Sequence, residues 1–418
     1  MIDSKVFSRL VGFLSWLVAC VLSTAWVWAA WQSRSPYFLM GREGLFQMWL
    51  VIGGIGLLWL VFGKRRGGRW SRVVRLLAVS ALLGALLAGS NRWRHDRNRA
   101  LVASNPAESM PAIGKHLIVG WLGFDETRAL AIKGGIAGVF LTRRDFPLES
   151  TTADVRRIVD ALQSARRDSG LPDLWIATDQ EGGMVEKMSP LVPPLPALKG
   201  LIENAGAEEV VRIVTEYGDT QGEALAAVGI NMNFAPVVDL MPSHGPGKLD
   251  FHSRISTRAL SPDPTIVVLA GNAYVKAMAR HGITAILKHF PGLGSVPADT
   301  HHFSARLDTP IAELEKHDWL PFRKISTSTE AGVMLSHVQV TELDSGQPTS
   351  CSAAAVRLLR DHWGMKGLLV TDDFSMAPIF HGRGGLSGAA RRSMAAGVDL
   401  ILLSYDGEAA YDLLAGGL

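Results

Sequence analysis

The chain has 418 residues, of which 48% are hydrophobic and 19% charged, enough apolar material for one large core and a further apolar region. Its 42 basic and 39 acidic side chains leave a formal net charge of +3, without the basic excess that a nucleic-acid partner requires. Of its two cysteines, Cys20 and Cys351 lie in different regions, so disulfides play no evident part, and no Cys/His spacing suits a metal.

The extra apolar material lies at the N-terminus. Residues 10–31 and 45–63 carry no charged side chain, and each is long enough to cross a hydrocarbon layer of about 30 Å. They read as two membrane helices, with Trp16, Trp26, Trp28 and Trp31 suited to interfacial belts. A third run, 76–90, is short for a span and reads either as a third transmembrane helix or as an interfacial segment. The loop before it holds Lys64, Arg65, Arg66, Arg69, Arg72 and Arg75 with no acid. The positive-inside bias puts that loop in the cytoplasm, in agreement with Lys5 and Arg9. If the third run spans, the rest of the chain lies outside; the basic stretch RWRHDRNR after it argues the other way. Leu17 to Cys20 also matches a lipoprotein processing box, although the VLSTAWVWAAW that follows is no polar tether; either version anchors the protein. Residues 1–100 are therefore expected to form a membrane anchor of two or three transmembrane helices, and 101–114, polar with two prolines, a linker.

From 115 to 418 the pattern is regular. Eight short apolar runs, from HLIVGWLGF to VDLILLSY, alternate with amphipathic stretches such as TADVRRIVDALQSARR. That alternation points to a (β/α)8 TIM-like barrel; by itself it leaves an open doubly wound sheet as the alternative. The last stretch, SYDGEAAYDLLAGGL, leaves a short final helix and predicts imperfect closure there. In a barrel, residues just past each strand end gather on one rim. Those positions here hold Asp179, Asp239, Lys288, His289, His337, Asp372 and Asp373, with no comparable set at the strand starts.

The richest window is 287–302, LKHFPGLGSVPADTHH. Lys288, His289, Asp299, His301 and His302 are interrupted there by Pro291, Gly292, Gly294 and Pro297, so the backbone must leave its strand and become a loop. Functional side chains concentrate on such loops.

This run resembles the signature of the bacterial β-N-acetylhexosaminidase branch of glycoside hydrolase family 3, commonly KHFPGHG, a few residues, then DSH. Lys288 to Gly292 match, as do Asp299 and His301, with Thr300 for serine and Leu293 where the family usually has histidine. LLVTDDFSM likewise resembles the family's nucleophile motif, matching the nucleophile to Asp372. The resemblance implies a barrel domain over 115–418, no metal and no cofactor. It further implies that Asp372 is the nucleophile, that Asp299 and His301 are the proton-handling dyad, and that Asp179, Lys187, Arg258, Lys288 and His289 bind substrate. Met184 and Lys187 stand where the family has arginines; lysine keeps the charge but not the bidentate geometry.

The expected activity is that of a retaining exo-hydrolase releasing terminal β-N-acetylglucosamine from peptidoglycan-type glycans. The expected location is the bacterial inner membrane, with the catalytic domain outside the cytoplasm. One alternative is a family 3 β-glucosidase or glucan hydrolase; that branch generally takes its acid from a second sandwich domain, and the chain ends too soon to hold one. Another is a non-catalytic, membrane-tethered glycan-binding protein, which the departures at Leu293, Met184 and Lys187 would suit.

Overall fold

The computed structural model describes residues 4–63, 69–242, 253–296 and 299–417, and divides into two units, Met1–Leu101 and Val102–Leu418. Lys64, Arg65 and Arg66 of the basic loop and Pro297 of the turn lie outside the described residues. The first unit is built on α1 (Ser4–Trp31), α2 (Arg42–Phe62) and α3 (Arg69–Ser104). All three are long and apolar enough to cross a membrane, by length and composition. The short run 76–90 is therefore the middle of a 36-residue helix, which continues because no glycine or proline follows Ser90 before Ser104. Small residues let α2 and α3 approach closely: a Cβ on Gly53 would fall 2.3 Å from the Ala85 Cβ, and one on Gly56 2.8 Å from the Ala78 carbonyl oxygen.

The stretch 101–114, expected as a linker, carries local structure of its own. The helix runs through Ser104, Val102 is fully buried in the core of the second unit, and two 3-10 turns, Ala107–Ser109 and Ala112–His116, lead straight into the first strand. Lys133 fixes this passage by donating to the carbonyls of Ala103 (2.6 Å) and Asn105 (3.0 Å). A carbonyl so engaged belongs to ordered backbone.

Eight parallel strands form the second unit: β1 (Leu117–Gly120), β2 (Gly138–Phe140), β3 (Trp175–Thr178), β4 (Met232–Asn233), β5 (Thr284–Phe290), β6 (Gly332–Leu335), β7 (Leu369–Thr371) and β8 (Ile401–Leu403). They neighbour one another in chain order, β1 pairs with β8, and Val370 of β7 bridges Leu400 beside β8. The ring is nearly closed, its end strands β7 and β8 meeting at that isolated bridge, which removes the doubly wound alternative. Each strand is followed by a helix: α4 (Phe124–Ile132), α5 (Thr152–Asp168), α6 (Ala207–Ala227), α7 (Pro264–Arg280), α8 (Trp319–Ser328), α9 (Ala353–Arg357), α10 (Gly385–Ala396) and α11 (Ala409–Ala415).

Closure at the last strand is incomplete, as the short final stretch predicts: β8 pairs regularly with β1 but pairs with β7 only through the isolated Val370–Leu400 bridge. Leu117, Ile118 and Val119 pair in register with Ile401, Leu402 and Leu403, and the short α11 still buries Ala410, Leu413 and Leu414. Period-two alternation sorts the strand residues between two cores. Ile118, Phe140, Ala177, Met232, Ile286, Met334, Val370 and Leu402 fill the barrel interior, while neighbours such as Val119, Val139, Leu287 and Val333 pack outward with the helices. With the interior plugged, chemistry is confined to the rim at the strand ends.

Candidate active site

Most of the polar residues past the strand ends meet in one cavity, which encloses about 510 Å³ of open volume including its mouth. Asp179, Arg258, Lys288, His289, His301, Asp372 and Asp373 line it, with Leu293, Ser404 and Tyr405. Asp372 and His301, the two residues on which the sequence reading rests, thus face shared space.

A charged network holds one side. Lys288, at the end of β5, is 2% exposed; its Nζ donates to Asp179 and lies 2.6 Å from Glu181. Arg258 grips the same Glu181 with both arms of its fork, Nε to Oε2 at 2.9 Å and Nη2 to Oε1 at 2.6 Å. Burial opposes charge on Glu181, yet Arg258 and Lys288 outweigh it and hold the carboxyl well below the usual range. Burial likewise opposes charge on Lys288, and the Asp179 and Glu181 carboxylates overcome it, so the ammonium persists.

Asp239, fully buried, shapes the turn after β5. It accepts from the amides of His289 (3.1 Å) and Leu293 (2.7 Å) and from the His289 ring at 2.6 Å. Because a carboxylate only accepts, His289 Nδ1 carries that proton and Nε2 faces Arg258 Nη2 at 3.4 Å.

On the loop beyond, Asp299 is fully buried and accepts from the His301 amide at 3.0 Å and from Nδ1 of its ring at 2.9 Å. Nδ1 is therefore the donor, and the ring also lines the cavity. Burial pulls the imidazole pKa down; the bond to Asp299 and the charges of Asp372 and Asp299 pull it up more, so it lies above the ordinary 6.5. Asp372 shows the converse: burial raises its pKa, while His337, His289, His301 and the Asp373 amide, 2.8 Å from Oδ1, bring it below the ordinary value. A carboxylate held in its ionised form thus shares a cavity with an imidazole held in its protonated form.

Asp373 accepts from Ser404 Oγ and from the amides of Ser375 (2.7 Å) and Tyr405 (3.0 Å), and burial pushes its pKa up to about 6. It ties the end of β7 to the end of β8. His337 is held beside the Asp372–Asp373 pair: Nε2 donates to the Asp373 carbonyl (2.9 Å), so Nδ1 accepts from Ser350 Oγ (2.9 Å).

Two sequence expectations need amendment. Lys187 is not among the residues lining this cavity. It leaves a small hairpin, Gln180–Gly182 against Val185–Glu186, with its amide 3.0 Å from the Asp179 carbonyl and its own carbonyl accepting from Arg143. Glu181 is a site residue that the sequence reading missed; the only signal was its place in DQEGG, two residues after Asp179. The hairpin is fixed by Asn233, whose side chain exchanges 2.9 Å bonds with the Gln180 main chain in both directions.

The match to known proteins agrees with this geometry. The family model described as the glycosyl hydrolase family 3 N terminal domain matches residues 114–416. The chain belongs to glycosyl hydrolase family 3. Among family 3 relatives, a beta-hexosaminidase of Xylella fastidiosa (strain M23) is 33% identical over 273 residues, covering 65% of this chain and 76% of that protein. NagZ from Neisseria gonorrhoeae, solved with N-trifluoroacetyl-D-glucosamine, superposes with a TM-score of 0.63 at 28% identity over 74% of this chain and 86% of that one. A family 3 beta-N-acetylglucosaminidase from Paenibacillus sp. str. FPU-7 gives 0.64 at 29% identity, over 73% of this chain but only 57% of its own length.

Proposed function

We propose that this family 3 barrel is a membrane-anchored, retaining exo-β-N-acetylhexosaminidase that removes terminal β-linked N-acetylglucosamine from peptidoglycan-type glycans. The observation that carries the reading is the shared cavity: Asp372 and His301 face it together, beside Asp179, Lys288, His289 and Arg258. The relatives named as beta-hexosaminidases supply the sugar class.

In the first step Asp372 attacks the anomeric carbon and His301 Nε2 protonates the departing glycosidic oxygen. In the second, His301 takes a proton from water, and the hydroxide attacks the anomeric carbon and expels Asp372. Esterification removes the Asp372 charge that helps hold the imidazole proton, so the His301 pKa falls once the glycosyl-enzyme forms. One imidazole thereby changes from acid to base without moving. Asp179, Lys288 and His289 would hold the hydroxyls of the terminal ring, and Arg258, whose fork is committed to Glu181, presents its remaining surface to the same ring. Lys187 stands apart from this set and would contribute only if its hairpin moved.

The three N-terminal helices support anchorage in the bacterial inner membrane, and the run of α3 to Ser104 supports three spans and an extracytoplasmic barrel. Trapping with a 5-fluoro N-acetylglucosaminyl fluoride, which keeps the acetamido group, tests the chemistry: mass spectrometry should find the adduct on Asp372, and an adduct on another residue removes the assignment. Release of p-nitrophenol from the β-N-acetylglucosaminide but not from the β-glucoside tests the sugar. A C-terminal reporter active only outside the cytoplasm tests the topology.

A further inference from the structure

The rim around the cavity is chemically lopsided. From β3 round to β7 it presents the ion-paired network and the catalytic pair. From β8 to β2 it presents exposed apolar side chains instead: Tyr405 at 57% exposure, Phe124 at 37% and Leu148 at 91%. Exposed apolar residues are ordinary when scattered. Tyr405 differs because it lines the cavity that holds Asp372 and His301 and because its backbone is fixed, its amide lying 3.0 Å from the Asp373 carboxylate.

Resting on the hydrolase reading above, we infer that Tyr405 is the platform of the leaving-group subsite, stacking against the second pyranose ring of the substrate. With Asp372 attacking one face of the anomeric carbon, in-line displacement sends the leaving group off the other face, out through the cavity mouth, and the exposed Tyr405 is on the wall of that cavity. A pyranose has an apolar C–H face, and a rigid aromatic ring supplies contact area at small entropic cost. A ring held there meets the sugar on the far side of the scissile bond, so its contribution depends on whether a second sugar is present.

The test compares N,N′-diacetylchitobiose with methyl β-N-acetylglucosaminide, both cleaved at an alkyl-type oxygen, using full-length protein in detergent. Tyr405→Ala should lower kcat/KM on the disaccharide about tenfold more than it lowers kcat/KM on the methyl glycoside. Tyr405→Phe and Tyr405→Trp, which keep the ring, should retain most of the wild-type disaccharide rate. Equal loss on both substrates, an unchanged disaccharide rate, or a Phe variant as poor as the Ala variant would overturn the inference. A wild-type enzyme that cleaves neither substrate would instead bring down the hydrolase reading on which it rests.

Discussion

Replacing Glu181 by Gln (E181Q) removes a negative charge from between two buried cations, Arg258 at 2.6 and 2.9 Å and Lys288 at 2.6 Å. A unit pair about 4 Å apart at an effective dielectric of about 20 is worth roughly 4 kcal/mol. Gln keeps some hydrogen bonding and Asp179 still faces Lys288, so a net loss of about 3 kcal/mol is expected, at the lower end for a broken buried ion pair. At roughly 2–3 °C per kcal/mol for a barrel of this size, the melting temperature should drop by about 6–9 °C in a thermal scan. The pH dependence carries a sign. The folded pKa of Glu181 lies below its ordinary 4.5, so its contribution is fully present above that value and is lost only as pH falls through the lower, folded pKa. The gap between wild type and E181Q should therefore be flat from neutral pH down to about 5 and narrow only in stronger acid. An unchanged melting temperature, or a gap that closes near neutrality, would refute the argument that Glu181 is a charged keystone.

Asp299→Asn should lower kcat/KM by about 10²–10⁴, the usual worth of acid–base assistance, and shift the alkaline limb of the pH profile downward. The sign follows from His301: its raised pKa keeps the acid protonated above the ordinary 6.5, and Asp299 supplies two of the causes. A profile whose alkaline limb stays put would count against the dyad. Lys187→Ala should change kcat/KM less than about twofold, since Lys187 is not among the residues lining the cavity; a large rise in KM would show that the hairpin closes on substrate. Gly294→Ala would put a Cβ 2.2 Å from the Leu240 carbonyl oxygen, beside Asp239, and should cost about 1–3 kcal/mol of stability together with most activity, read by melting and turnover. A variant as stable and active as wild type would show that the turn yields freely.

What could be read in advance depended on the range of the forces involved. Asp372, Asp299, His301, Lys288 and His289 lie in contiguous motifs at strand ends, and a barrel gathers strand ends without further instruction. Glu181 could not be read that way, because its meaning comes from Arg258, 77 positions away, brought near by the fold. Lys187 shows the opposite case: local spacing puts it beside Asp179, while the cavity lining includes Asp179 and not Lys187. The passage 101–114 looked like a tether by composition, yet a single buried valine, Val102, and the Lys133 bonds order it. The third apolar run looked short because hydropathy ends at Ser90, while helix propensity does not. The short final stretch did foretell the barrel's weakest seam: β8 is in register with β1 but pairs with β7 only through one isolated bridge.

The clasp that Asp239 makes on the turn after β5 has a consequence for how such chains drift. Its partner at position 293 is a main-chain amide, so the clasp does not depend on which side chain that position carries. Histidine and leucine are interchangeable there as far as the shape of the turn is concerned. A lineage that exchanged one for the other would alter the wall of the cavity while its skeleton stayed in place, and a motif comparison weighted by letters would score as decay what the backbone registers as no change.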